Sequence, residues 1–299
     1  MTAPIALFVY NRPDHCRQTL DHLLENPLAG NSDLFVFSDG PRGEHDLRAV
    51  DEVRELVRHI AGFRSVNVIE RERNLGLANS ITDGVGRLCA EHGSVIVLED
   101  DLLVAPDFLD LMNSSLERYA DSERVMQISG YMYPGNYGSD TDTLFLPMVS
   151  CWGWGTWNRA WAKYDPEMSG YERLMSDSSL KARFNLHGAY DYLKMLEQQR
   201  RGEIDSWGIR WHLSVFMLEG LVLYPAESRV INIGIDGSGT HGAGTAELQK
   251  SKFEGGTDRV NLRYPDRIVM DEDAMRNLRD SLRAARPGLV KRAMRKLFR

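Results

Sequence analysis

One stretch of the sequence, Ser94–Asp101, constrains the fold more than any other. Its apolar residues, Val95–Leu98, form a continuous run that is typical of a strand buried on both faces, as in the centre of a parallel sheet. The run leads directly into three consecutive acids, Glu99, Asp100 and Asp101. Ligand sites in open α/β sheets lie beyond the carboxyl ends of the strands, so the pattern predicts a site at this strand end.

The acidic triplet itself predicts a bound cation. Three adjacent carboxylates repel one another and raise each other's pKa unless a cation or hydrogen-bond donors neutralise them. Mg²⁺ and Mn²⁺ suit such a site, because they bind few protein carboxylates and share their remaining positions with phosphate oxygens and water. The alternative is an acidic helix N-terminus, since Pro106 and Asp107 begin a predicted helix a few residues later.

The composition excludes several classes of protein. The chain has 299 residues, and its 36 basic and 43 acidic residues give a net charge of −7, which argues against nucleic-acid binding. Its three cysteines are far apart and show no CxxC spacing, as expected for reduced thiols in the cytoplasm. No apolar run reaches the length of a membrane span, and the N-terminus lacks a signal-peptide pattern. We therefore expect a cytoplasmic protein.

Strands and helices alternate along the first part of the chain. Each connection is long enough for a parallel crossover, which predicts a Rossmann-like, mainly parallel sheet flanked by helices. We expect one domain over residues 1–270, with a nucleotide-binding half to about residue 130 and an acceptor half beyond it, followed by a helical tail at 271–299. The four predicted buried strands are Ile5–Tyr10, Leu34–Phe37, Val66–Ile69 and Val95–Leu98.

The last part of the tail, Leu289–Arg299, has an amphipathic pattern. Apolar residues fall on one helical stripe and basic residues on the other face. This pattern is typical of a helix that lies on an anionic membrane surface. The alternative is a solvated terminal helix that docks on the domain.

Several short segments, taken in order, are similar to one enzyme family. They resemble the GT-A fold of nucleotide-sugar glycosyltransferases, and in particular the N-acetylglucosaminyltransferase I family, over roughly residues 5–245. The acidic segment is the most specific, whereas the others are short and are informative through their shared order. The segments that carry the resemblance are Val9–Pro13, Phe37–Gly40, Val97–Phe108, Gly153–Gly155, Ile204–Trp207 and Thr240–Gly242.

The resemblance implies roles for residues at the predicted strand ends. Asp101 corresponds to the family's metal-binding acid, which would hold Mn²⁺ or Mg²⁺ on the donor diphosphate. Glu99 and Asp100 would contact hydroxyls of the donor sugar and ribose. Asp39 would accept a hydrogen bond from a uracil N–H, and Arg12 would lie beside the nucleotide. The alternatives are a turn residue for Asp39 and a surface ion pair for Arg12.

The resemblance also implies a catalytic base. Asp205 lies just before a predicted helix, where the family has the carboxylate that deprotonates the acceptor hydroxyl. The alternative is that Asp205 caps this helix, because an Asp there satisfies free backbone N–H groups. The family has an acid where this chain has Ser206, and Glu203 is the second candidate base.

Other expected contacts come from loops and aromatic residues. Trp154, between two glycines, is expected to line the sugar pocket, whereas Trp152 and Trp157 are expected in the core. His241, on a Gly-rich loop, is expected to touch the diphosphate or to complete the metal shell, with an ordinary loop histidine as the alternative. Asn74 is expected near the nucleotide, with a turn residue as the alternative.

The resulting hypothesis is a metal-dependent, inverting glycosyltransferase that uses a UDP-sugar, with UDP-N-acetylglucosamine as the first donor to test. Its acceptor would be a glycan or a lipid-linked glycan in surface polysaccharide synthesis, with the tail holding the protein peripherally at the inner membrane face. One alternative is a sugar nucleotidyltransferase, although Asn11–Asp14 lacks the Gly-rich phosphate loop usual after the first strand. Another is a non-catalytic glycan-binding module, against which the intact Glu99–Asp101 triplet and Asp205 argue.

Overall fold

A computed structural model of the chain describes residues 2–137, 140–234, 253 and 262–284. The strands are β1 (Ile5–Val9), β2 (Asp33–Ser38), β3 (Ser65–Glu70), β4 (Ser94–Glu99), β5 (Leu102–Val104), β6 (Val125–Ser129), β7 (Thr143–Leu146), β8 (Trp154–Trp157), β9 (Leu221–Pro225) and β10 (Val230–Asn232). The helices are α1 (Pro13–Leu24), α2 (Glu44–Arg58), α3 (Leu77–His92), α4 (Phe108–Arg118), α5 (Asn158–Trp161), α6 (Tyr171–Ser176), α7 (Ser178–Phe184), α8 (Tyr192–Arg200), α9 (Trp207–Met217) and α10 (Glu272–Ala284).

The central sheet is mixed and mainly parallel, as the sequence predicts. Its eight strands lie in the order β3-β2-β1-β4-β8-β6-β9-β7. The first four strands are mutually parallel, and only β8 and β7 run against the direction of the others in this sheet. A separate two-stranded sheet pairs β10 with β5. Since α1, α2 and α3 connect the parallel strands, the first part of the chain is Rossmann-like.

The register of the parallel strands brings their carboxyl ends to one edge. In β1, Val9 lies opposite Ser38 of β2, and Phe8 lies opposite Glu99 of β4. The polar residues that follow these three strands therefore emerge side by side. The apolar run of β4, from Val95 to Leu98, is fully buried, as expected for a strand at the centre of a parallel sheet.

The second part of the chain supplies the other four strands of the sheet, β6 to β9, and helices that pack on them. Most residues of α9 are buried, from Trp207 to Phe216. The first helix of the predicted tail, α10, buries its apolar stripe against the domain, and the backbone N–H of Asp271 donates to the carbonyl of Phe145 in β7. Leu289–Arg299 lies outside the described residues. In the part of the chain that the structure describes, none of the helices has the length and apolar character needed to cross a bilayer.

Candidate active site

A cavity of about 530 Å³ opens at the carboxyl ends of β1, β2 and β4. Two groups of residues line it, and they differ in character. The polar half comprises Arg12, Asp39, Asn74, Glu99, Asp100 and Asp101. The aromatic half comprises Tyr131, Tyr133, Trp152, Tyr190, Tyr192 and His212.

Arg12 bridges the two aspartates at the end of β4. Its Nη2 donates to Oδ1 of Asp100 at 2.5 Å and to Oδ2 of Asp101 at 2.9 Å. Burial raises the pKa of Asp100 to about 6, although the charge of Arg12 acts in the opposite direction. Burial and the two neighbouring aspartates also raise the pKa of Glu99 well above its usual range. One guanidinium therefore faces more carboxylate than it can neutralise, and the polar half favours a further cation.

The free oxygen of Asp101 fits a metal ligand. Its Oδ1 is buried and has no hydrogen-bond partner among the described residues. Within those residues, no group of three or more acidic, histidine or cysteine side chains could hold a metal on its own. The donor set therefore suits Mg²⁺ or Mn²⁺ bound by one or two carboxylates and completed by phosphate oxygens and water. His241, the other predicted ligand, lies outside the described residues.

The backbone at Gly234 approaches Asp101 closely. The neighbouring Ile233 N–H donates to the main-chain carbonyl of Asp101 at 2.8 Å. A Cβ atom at position 234 would lie 2.0 Å from Oδ2 of Asp101 and 2.9 Å from Nη1 of Arg12. This segment can therefore pack against the acids only if the residue is glycine.

Asp39 and Asn74 join two loops at the edge of the cavity. The carboxylate of Asp39 accepts the backbone N–H groups of Leu75 at 2.8 Å and Gly76 at 3.0 Å. The amide of Asn74 donates in return to the carbonyl of Gly40 at 2.9 Å. Both side chains thus stabilise loop structure, which agrees with the alternative prediction of turn residues at both positions. Both also line the cavity.

Asp205 lies at the mouth of the cavity, directly before α9. It is exposed, and Nη2 of Arg210 donates to its Oδ1 at 2.6 Å. The helix is capped by Ser206, whose hydroxyl accepts a backbone N–H of the first turn, so Asp205 is not the capping residue. The second candidate base, Glu203, pairs with Arg201 at 3.0 Å and is absent from the described cavity lining.

The structure corrects the expected position of Trp154. This residue is fully buried and stacks on Trp207, with ring centroids 4.9 Å apart. It belongs to β8, a central strand whose faces are covered, and so it cannot reach the cavity. Trp152, which precedes the strand, lines the cavity instead of lying in the core, and Trp207 lines it too. Trp157 is buried in the core as expected.

No residue of the aromatic half was predicted from the sequence as part of the site. Tyr131 contacts Trp152 edge-on with ring centroids 4.5 Å apart, and the rings of Tyr190 and Tyr192 lie 4.4 Å apart. His212 completes the group, with its ring 4.4 Å from that of Tyr192. These residues come from separate segments with no common spacing. The only sequence signal was the local enrichment in tyrosine and tryptophan around residues 130–160.

A second depression, of about 900 Å³, lies on another part of the surface and is larger than the cavity. The two arginines in its wall already have partners in the fold. Arg64 pairs with Asp33, and the guanidinium of Arg159 donates to three backbone carbonyls. The wall contains no cluster of acids, so the smaller cavity is the better candidate for an active site.

Comparison with known proteins agrees with this geometry. The family model described as glycosyl transferase family 2 matches residues 5–158, just over half of the chain, and includes every described residue of the polar half. No curated protein matches the chain.

Three solved structures are similar to parts of the chain. GalNAc-T7, solved with UDP, GalNAc and Mn²⁺, is 10% identical, with a TM-score of 0.44 over 75% of this chain and 43% of that one. The mannosyltransferase PcManGT of Pyrobaculum calidifontis, in complex with GDP-Man and Mn²⁺, is 14% identical, with a TM-score of 0.35 over 52% of this chain and 45% of that one. TarS of S. aureus is 16% identical, with a TM-score of 0.31 over 49% and 25%. The chain thus spans less than half of each, and at these TM-scores the likenesses add nothing to the family match.

Proposed function

Because the chain belongs to glycosyl transferase family 2 and is a glycosyltransferase, we propose that it transfers a sugar from a UDP-sugar to a saccharide acceptor, with inversion of configuration at the transferred sugar. The observation that carries the proposal is the group formed by Arg12, Asp100 and Asp101 at the strand ends. Its buried, unpartnered Asp101 oxygen and its excess of carboxylates suit a cation and a diphosphate. We propose UDP-N-acetylglucosamine as the first donor to test.

In this proposal the polar half binds the donor. Asp101 would hold Mn²⁺ or Mg²⁺, which offsets the negative charge that builds on the leaving diphosphate. Arg12, which donates to both aspartates, would also donate to a diphosphate oxygen. Asp39 and Asn74 also line the cavity, and each retains lone pairs or N–H groups for the nucleotide. Glu99 and Asp100 would accept hydroxyls of the donor sugar and ribose.

Asp205 is the proposed base. Inverting transfer needs one carboxylate on the face opposite the leaving group, where it removes the proton of the acceptor hydroxyl. Asp205 is at the mouth of the cavity and can be reached by an acceptor from solvent. The hydrogen bond from Arg210 fixes the orientation of its carboxylate.

Two variants and one matched control test this assignment. Asp101→Ala should abolish both transfer and the metal-dependent binding of UDP, measured by calorimetry with and without Mn²⁺. Asp205→Asn should reduce transfer at least a hundredfold, the usual size of general-base catalysis, and leave UDP binding within about twofold. Glu203→Gln, outside the cavity, should leave both unchanged. Full turnover in Asp205→Asn would remove Asp205 from its proposed role.

Family membership favours sugar transfer over the two alternatives, nucleotidyl transfer and glycan binding without turnover. Release of pyrophosphate from a nucleoside triphosphate and a sugar phosphate would instead support nucleotidyl transfer. A thermal-shift screen of nucleotide-sugars with Mn²⁺ would identify the donor.

We also propose that the acceptor is a glycan or a lipid-linked glycan of surface polysaccharide synthesis, reached at the inner membrane face through the basic stripe of Leu289–Arg299. The amphipathic pattern of that segment supports this. A chain ending at Ala285 should bind anionic vesicles less tightly than the full chain in a sedimentation assay. Equal binding would contradict the membrane role of the tail.

A further inference from the structure

The aromatic half contains a buried histidine, His212, that has no role in the proposed donor site or as the proposed base. His212 is only 3% exposed, and the backbone N–H of Val149 donates to its Nδ1 at 3.4 Å. Burial lowers the pKa of His212 to about 3, so the ring is neutral at working pH. Since Nδ1 accepts a hydrogen bond, the single proton of the ring is on Nε2.

The Nε2–H group of His212 lacks an internal partner. It is buried, and no acceptor for it exists among the described residues. An unpaired buried N–H destabilises a fold, so such a group in a cavity wall points to a partner from outside the chain. His212 is part of the cavity wall, where a bound molecule can supply that partner.

The surroundings of His212 favour a sugar ring as that molecule. The ring of Tyr192 lies 4.4 Å from His212, and Tyr190 packs on Tyr192. The group continues through Tyr133, which shares a hydrogen bond with Tyr192, to Tyr131 and Trp152; the ring centroids of Tyr131 and Tyr133 lie 5.0 Å apart. Aromatic faces cover the apolar C–H face of a pyranose, whereas hydroxyl and N–H groups at their edges bind its hydroxyls. No charged side chain belongs to the aromatic half, so its walls suit a neutral ligand.

The helix that carries His212 also connects it with the proposed base. Gly208, Ile209 and His212 share the face of α9 that lines the cavity, and Asp205 immediately precedes this helix. The helix begins at Trp207, two residues after Asp205, and at 1.5 Å per residue His212 lies about 7.5 Å along its axis from Trp207. A saccharide bound against this face can thus contact both residues, with one of its hydroxyls beside Asp205.

The family match covers the whole polar half but only part of the aromatic half. It includes Tyr131, Tyr133 and Trp152 and ends at residue 158, whereas Tyr190, Tyr192 and His212 come later in the chain. On the basis of the proposed function, we infer that the aromatic half binds a sugar ring of the acceptor, with the Nε2–H of His212 donating a hydrogen bond to one of its oxygens.

Selective ¹⁵N-histidine labelling of the full chain tests this contact directly. With UDP and Mg²⁺ present, the protein is titrated with the methyl glycosides of glucose, galactose, mannose and N-acetylglucosamine. The Nε2–H signal of His212, assigned by its loss in His212→Phe, should shift saturably with at least one glycoside. If no glycoside moves it, or if only UDP-N-acetylglucosamine without glycoside does so, the acceptor assignment is overturned.

Variants give a second measurement on the same glycoside. His212→Phe should lower its affinity about tenfold, and Tyr190→Ala by a similar factor through loss of the ring. His212→Gln, which can place an amide N–H near the position of Nε2–H, should retain most of the affinity. Tyr119→Phe removes a buried hydroxyl outside the cavity and should change nothing.

UDP binding separates this inference from the proposed function. All of these variants should bind UDP within twofold of the wild type, because the polar half is intact. Unchanged glycoside affinity in His212→Phe would overturn the inference and leave the donor site standing. If the wild type itself did not bind UDP, the proposed function would be overturned, whatever the glycoside result.

Discussion

The two halves of the cavity are built in different ways. The polar half is made largely of residues that directly follow neighbouring parallel strands, and the register of β1, β2 and β4 brings them together. The aromatic half is assembled from segments around residues 131–133, 150–152, 190–195 and 206–212, which meet only through packing of the second part of the chain. A site of the first kind is visible as a local pattern in the sequence, whereas one of the second kind is not.

The halves also differ in electrostatics. In the polar half, buried Asp100 and Glu99 have raised pKa values because their charges are costly there. In the aromatic half, burial keeps His212 neutral by lowering its pKa. The polar half therefore needs a cation to be stable in its charged form, and the aromatic half suits an uncharged ligand that accepts hydrogen bonds.

Arg12→Met is expected to have the largest effect, and it tests the electrostatics of the polar half. The change removes the guanidinium that both Asp100 and Asp101 accept from, and it leaves two buried carboxylates without a cation. Breaking a buried pair in this way costs about 3 kcal/mol of unfolding free energy. Urea unfolding in EDTA at pH 8 should show this loss, and added Mn²⁺ should restore part of it.

The loss should depend on pH in a defined direction. The folded-state pKa of Asp100 is about 6, above its usual 3.8, so the folded state keeps a proton that the unfolded chain has released. The stabilising contribution of protonated Asp100 is thus fully present below about pH 4, and it disappears as the pH rises through 6. Without Arg12 this pKa rises further, so the variant should be nearly as stable as the wild type at pH 4 and much less stable at pH 8.

A matched control is Arg64→Met, which breaks the more exposed ion pair with Asp33. That variant should lose less than about 1 kcal/mol at pH 8, because exposed pairs contribute little. An equal loss for Arg12→Met at pH 4 and pH 8 would show that its effect comes from packing and not from the buried carboxylates.

The first part of the fold, from β1 to β4, could be predicted closely because each sequence signal lies within a single element. The four apolar runs predicted as strands agree with β1 to β4 to within one residue at each end. The acids after β4 were found because burial of the strand and the charges that follow it are adjacent in the chain. The parallel direction of these strands follows from their long crossovers, whereas the strand order was not predicted.

The second half was harder to predict because its elements are defined by their neighbours. The sequence around Trp154 has glycines and tryptophans without strand periodicity, yet it forms β8, which pairs with β4 and β6. That pairing buries Trp154 and leaves Trp152 at the cavity. His212 gave no local signal either, since its importance depends on Val149 and Tyr192, which reach it only in the folded chain.

Two glycines of the cavity lining, Gly234 beside the polar half and Gly208 beside the aromatic half, allow the halves to be separated by matched substitutions. Gly234→Ala would place a Cβ atom 2.0 Å from Oδ2 of Asp101, so it must displace this carboxylate and Arg12. We expect at least a tenfold loss of UDP affinity with Mg²⁺, because the donor groups move. Affinity for the best methyl glycoside should stay within twofold of the wild type.

Gly208→Ala is the counterpart in the aromatic half and should have the smaller effect. Its Cβ would lie 2.5 Å from Sγ of Cys151, which must move along with the neighbouring cavity wall at Trp152. Overpacking of this kind costs about 1 to 3 kcal/mol, partly offset by the higher helix propensity of alanine in α9. Calorimetry should show weaker glycoside binding with UDP affinity unchanged. Adding Cys151→Ala removes the clashing sulfur and should restore both stability and glycoside affinity. If Gly208→Ala and Gly234→Ala weakened both ligands equally, the cavity would respond as one unit, and its division into two binding halves would be wrong.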